Sequence, residues 1–210
     1  MNRRPALLAL LTLSTALTLT ACGSDDTDAP AKGSGEASKV QTSPSASATS
    51  SRPVVELPSD VTYVFDWGST GDPVKDAVLK DAEQRIKAVD MAIAEQDPLH
   101  EAYRFYFEGT AAAGSQRYIQ EFVDHKARTT GVTRYYDASV TVHEDGTAAL
   151  VYCEDQSKAF NKFLETGKTD VTPVTKNSYV VYASTLRKNT TGVWVTERLT
   201  SQRGSSKCRP

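Results

Sequence analysis

The stretch Arg134-Tyr135-Tyr136-Asp137-Ala138-Ser139-Val140-Thr141-Val142 decides the fold. Upstream of Gly131 the apolar residues recur every three or four positions; from here they recur every two, the period of a strand. Asp145-Gly146 is a tight hairpin signal, and Thr147 to Tyr152 returns as the partner strand, ending at Cys153. A polar excursion follows from Glu154 through Lys168, with Phe160 and Phe163 inside it. Ser178 to Lys188 reads as another strand, rich in Tyr and Val. Asn189-Thr190-Thr191-Gly192 turns it into Val193-Trp194-Val195-Thr196-Glu197-Arg198-Leu199. The C-terminal part therefore reads as an antiparallel meander.

Working back from Gly131, the period is helical. Asp72-Pro73 supplies an N-cap and a proline at the first helical position. Val74, Ala77/Val78, Ala82, Ile86, Val89 and Ile93 then form one apolar stripe, with Lys75, Lys80, Glu83, Lys87 and Asp90 assigned to water. Asp97-Pro98 ends that helix. Leu99 to Ala113 reads as a second helix carrying Tyr103, Phe105, Tyr106 and Phe107, interrupted by Gly114. Ser115 caps a third with Tyr118, Ile119, Phe122 and Val123, closed by Gly131. Aromatics at helical spacing read as core rather than as a ligand box. A short extended stretch, Val61 to Trp67, precedes the helices. Helices first and strands afterwards predict an α+β domain with the helices on one face of a curved sheet.

The N-terminus sets the location. Met1-Asn2-Arg3-Arg4 is basic, Ala6 to Leu19 is apolar apart from Thr and Ser, and Leu19-Thr20-Ala21-Cys22 follows. This is a secretory signal, and its ending resembles a bacterial lipobox, in which the thiol takes a diacylglycerol and Cys22 becomes the first mature residue. The apolar run is shorter than the ~20 residues of a spanning helix. From Gly23 to about Ser59 the chain is Ser, Thr, Ala, Gly, Asp and Pro, too polar to offset the entropy of ordering. The division expected is a signal over 1–21, a lipidated disordered tether over 22–59, with a span on the order of 30–40 Å, and one domain over 60–210.

Charge and cysteines bound the function. With 24 basic and 26 acidic residues and no basic block, nucleic acid is not an expected partner. Membrane contact is expected through the lipid on Cys22 alone, on the extracellular face of the cell membrane. Cys22 leaves Cys153 and Cys208, which in an exported chain are expected to pair, the alternative being two buried thiols. No CxxC or His-rich spacing supports a metal, and His143-Glu144-Asp145 reads as a hairpin tip. No P-loop, GxSxG or dinucleotide fingerprint appears, so no cofactor is expected.

The lipobox, the Ser/Thr-rich tether, the helix opening Gly71-Asp72-Pro73, the string Tyr152-Cys153-Glu154-Asp155-Gln156-Ser157-Lys158 and the ending Ser201-Gln202-Arg203-Gly204…Cys208 together resemble small actinobacterial lipoproteins. Their domain looks like the nuclear transport factor 2-like cone, in which helices pack into a curved antiparallel sheet. The resemblance spans roughly 61–208 and implies lipid on Cys22 and a Cys153–Cys208 bridge. An up-and-down meander agrees: its second and fourth strands end at one edge, with Cys153 closing the second and Cys208 just past the fourth. Enzymes of that fold, such as ketosteroid isomerase, set an acid and a Tyr–carboxylic acid pair inside the cone. The corresponding pocket candidates here are Tyr135, Tyr136, Asp137, Trp194 and Arg198, with Asp124 or His125 on the preceding helix. Without a recognisable nucleophile, base and orienting group, the reading is a non-catalytic ligand-binding or protein-interaction module. Its partners would be an envelope protein or a small apolar ligand. The alternative is a small isomerase- or hydrolase-like enzyme acting on an apolar extracellular metabolite.

Overall fold

In the computed structural model, which describes residues 51–209, Asp72 accepts hydrogen bonds from the Val74 and Lys75 amides and Pro73 opens α1 (Pro73–Ala94). The signal, Cys22 and most of the tether lie outside the described residues. Val78, Ala82 and Ile93 of the stripe are fully buried, each large apolar side chain contributing about 1.5–3 kcal/mol. α1 stops at Gln96, whose left-handed backbone no helix continues.

The helical region departs from the expected pattern. α2 is one turn, Glu101–Arg104, while α3 runs unbroken through Gly109–Asp124. Gly114 does not interrupt it and Ser115 is no cap. Ala111, Ser115 and Ile119 fall four apart on the buried face, and that packing outweighs the ~1 kcal/mol cost of one interior glycine. Gly131 does not close it either. His125 and Lys126 form the turn, and β2 begins at Ala127.

β1 (Val61–Asp66), β2 (Ala127–Val142), β3 (Thr147–Phe163), the short β4 (Thr169–Asp170), β5 (Tyr179–Lys188) and β6 (Trp194–Arg203) form one sheet. Its order is β1-β2-β3-β5-β6, with β4 paired to the outer half of β3. The meander β2-β3-β5-β6 is antiparallel as expected; β1 joins it in parallel, so the sheet is mixed. The polar excursion from Glu154 is not a loop: β3 continues to Phe163, because residues 127–135 pair with its outer half. Register breaks at 132–134 and 136–139 bend β2, the usual effect of bulges, and curve the sheet around the helices. Tyr106 and Glu108 hydrogen-bond to Thr196 and cover the β6 edge.

Cys153 and Cys208 are bonded. Cys153 sits in mid-β3 rather than at a strand end. Cys208 reaches it because Gly204, at φ +76°, turns the tail back over Tyr179 and Val181. Residues 51–60 hold no helix or strand, yet Arg52 donates to both oxygens of buried Asp81 at 2.8 and 3.0 Å. The Trp194 amide adds a third bond to Asp81 at 2.9 Å.

Candidate functional site

Strand alternation places Leu150, Tyr152 and Glu154 on one face of β3, under α1 and α3. Register sets Tyr135 opposite Glu154 and Tyr182 opposite Tyr152. Between helices and sheet lies a cleft with two lobes, of about 740 and 320 Å³, that share Asp90, Tyr118, Tyr135, Glu154 and Arg203. Its floor is aromatic: Tyr152 stacks on Tyr182 at 5.1 Å and meets the Tyr135 ring edge-on at 6.1 Å.

Four carboxyl groups line this space; Glu121 and Asp170 are exposed at the mouth of the larger lobe, whereas Asp90 and Glu154 lie deeper and border both lobes. Asp90, on α1, accepts a bond from the Thr129 hydroxyl at 2.8 Å. Burial pushes its carboxyl up to about 7; the Thr129 bond opposes that rise and the charge of Glu154 adds to it. The partial exposure Asp90 retains opens into the cleft. Glu154 is 6% exposed. Burial raises its pKa too, opposed first by the Tyr182 and Tyr135 hydroxyls and also by Arg203 and Gln156. Of these, Gln156 makes the well-formed bond, at 2.8 Å. Gln156 in turn accepts from Arg203 at 2.5 Å. Burial holds the phenols of Tyr135 and Tyr182 well above their usual range, so both are neutral donors. Tyr118, 44% exposed, lines both lobes, so its open surface faces the cleft and its phenol is raised by the surrounding protein. The site thus offers a carboxyl able to gain or lose a proton near neutral pH. Beside it stand neutral hydroxyls suited to an oxygen on which charge develops. Among the described residues no group of three or more His, Cys, Asp or Glu converges as a metal site.

Of the five residues singled out from the sequence, Tyr135 alone lines the cleft. Tyr136 packs on the outer face with the disulfide and donates its hydroxyl to the Cys208 carbonyl. Asp137 is exposed in the bulge, at φ +52°. Trp194 belongs to the core, and Arg198 is exposed on β6. His125 reaches the rim of the larger lobe, whereas Asp124 pairs with Gln120. His143 to Asp145 sit exposed at the hairpin tip, where Asp145 accepts from Thr147. The sequence reading missed Asp90 and Glu154. Both had a signal: Asp90 lies four residues after Ile86, on the shoulder of the stripe, and Glu154 is in phase with Leu150 and Tyr152.

No protein-family model matches the sequence, and no curated protein matches it. Solved structures with a similar arrangement include a ketosteroid isomerase-like protein from Erwinia carotovora atroseptica (14% identity, 64% of this chain and 98% of that chain, TM-score 0.45). Aln2 from a Streptomyces species is similar over 64% of this chain and 94% of its own (13%, TM-score 0.45). ActVI-ORFA from Streptomyces coelicolor covers 63% and 98% (10%, TM-score 0.42). Likeness at these values assigns nothing further to this chain.

Proposed function

We propose that the domain takes a small, largely apolar molecule with a carbonyl or hydroxyl oxygen into the cleft and moves a proton on it. The observation that supports this is the pair Asp90 and Glu154, from opposite walls, facing one cavity with neutral tyrosines between them. As a carboxylate, Asp90 accepts a proton from a carbon next to the ligand's carbonyl, and the charge that develops on the carbonyl oxygen is met by the Tyr135 or Tyr182 hydroxyl. Returning the proton elsewhere isomerises the molecule. A non-catalytic binding module is the second reading, favoured by the stacked aromatic floor, which would hold an apolar ligand without chemistry. The domain is further proposed to be held at the extracellular face of the membrane by a lipid on Cys22.

The two readings separate in D₂O. A panel of enolisable aryl ketones, followed by NMR, is expected to show exchange at the carbon beside the carbonyl that is catalysed by the wild type. Its rate should rise with pH to a plateau above about 7, and Asp90→Asn should lower it by about a hundredfold or more. Binding of the same ketones without exchange would leave the module reading in place.

A further inference from the structure

Arg85, on α1 at the wall of the smaller lobe, is 2% exposed. Among the described residues no carboxylate pairs with it. Its one hydrogen bond runs from Nη2 to the Tyr152 hydroxyl at 3.1 Å, and its Nε and Nη1 have no acceptor. The rings of Phe107 and Tyr152 lie 5.4 and 6.0 Å from the guanidinium carbon, close enough for a cation–π contribution, but they leave those donors unmet. Tyr152 does not supply the missing charge, because burial keeps its phenol protonated. Asp81, one turn earlier on the same helix, is occupied by Arg52 and the Trp194 amide. A buried water could satisfy the donors without neutralising the cation. An uncompensated buried charge is costly, and here it borders an open lobe walled by Ile86, Val89, Phe107 and Leu199.

We infer that the smaller lobe binds the carboxylate of an aromatic acid, with Arg85 as the group that receives it. This deepens the reading of the cleft as a ligand site and rests on it. The ligand's ring lies against the apolar wall, and its carboxylate reaches Nε and Nη1 as Tyr152 gives way. The rest of the molecule extends toward Asp90 and Glu154, where a second negative charge is unwelcome. The acid it fits is therefore a monocarboxylate.

The test compares 2-naphthoate with its neutral isostere 2-naphthamide by calorimetric titration of the folded domain. The wild type is expected to bind the acid about ten- to hundredfold more tightly, the worth of one charge-assisted hydrogen bond. Arg85→Gln should abolish that preference by weakening the acid far more than the amide, while Arg85→Lys should keep part of it. Arg85→Met, in the absence of probe, should unfold at or above the wild-type temperature, since an uncompensated buried charge has been removed; an arginine retained for packing would show the reverse. Equal affinities for acid and amide, or a preference that survives Arg85→Gln, overturns the assignment to Arg85 and leaves the cleft reading standing. Failure of both probes to bind overturns the assignment of an aromatic acid, and the ketone exchange assay then decides the cleft reading separately.

Discussion

At Asp90 the requirements of chemistry and of stability diverge. A carboxyl raised to about 7 in the folded protein, against an unfolded value near 4, favours folding in its protonated form. Its stabilising effect is complete below about pH 4 and is lost as pH rises through about 7. Asp90→Asn should therefore be more stable than the wild type at pH 8, by on the order of 1–3 kcal/mol, and close to it at pH 4.5; urea unfolding at the two pH values measures this. A difference that does not grow with pH would contradict it. Asp60 acts in the opposite sense. The Arg128 hydrogen bond, with help from Lys162, holds its carboxyl far below the usual range, so its contribution is present above about pH 4 and fades in acid. Period alone hid Asp90 and Glu154. Asp90 looks solvated when only the centre of the stripe is counted, and Glu154 begins a run whose charge resembles a loop.

At the scale of elements, two glycines read from sequence as helix breakers have opposite roles. Gly131 lies inside β2 at φ +94°, paired on one side with Val61 and on the other with Ala159. A Cβ there would stand 2.2 Å from the Lys158 carbonyl oxygen. Gly131→Ala should cost about 2–4 kcal/mol through clash and left-handed strain. Gly114, in mid-α3, meets nothing within 4 Å, and Gly114→Ala should stabilise by about 0.5–1 kcal/mol. Denaturant midpoints of the two variants, moving in opposite directions, are the expected result. The same sheet geometry explains β3: its polar outer half is a strand because neighbours on either side use its backbone and its inward side chains meet the cleft.

At the scale of the molecule, the two ends of the described chain are pinned. Arg52 on Asp81 holds the N-terminal segment. The Cys153–Cys208 bond, 55 residues apart, holds the tail and contributes on the order of 4 kcal/mol in the chain-entropy account. The proposed lipid on Cys22 would complete the tethering. Cys22→Ala should abolish incorporation of labelled fatty acid and release the protein from the membrane fraction; unchanged labelling of the variant would refute the anchor.

The sequence by itself determined the class of the domain and the start of its main helix. Capping chemistry and hydrophobic period are local, so Asp72-Pro73, the stripe from Val78 to Ile93 and the two hairpin turns at Asp145-Gly146 and Asn189 to Gly192 are legible one segment at a time. Cysteine parity likewise made the Cys153–Cys208 pair the expected one. Only the tertiary structure decided which polar residues face inward. Whether Glu154, Asp90 or Arg85 meets water or protein depends on the bend of β2 and the docking of α1 and α3 over it. That burial raises the pKa of the two carboxyl groups and leaves two Arg85 donors without an acceptor. Tyr135 and Tyr136 show the same limit in neighbouring positions: one lines the cleft and the other braces the disulfide, because strand alternation sends adjacent side chains to opposite faces.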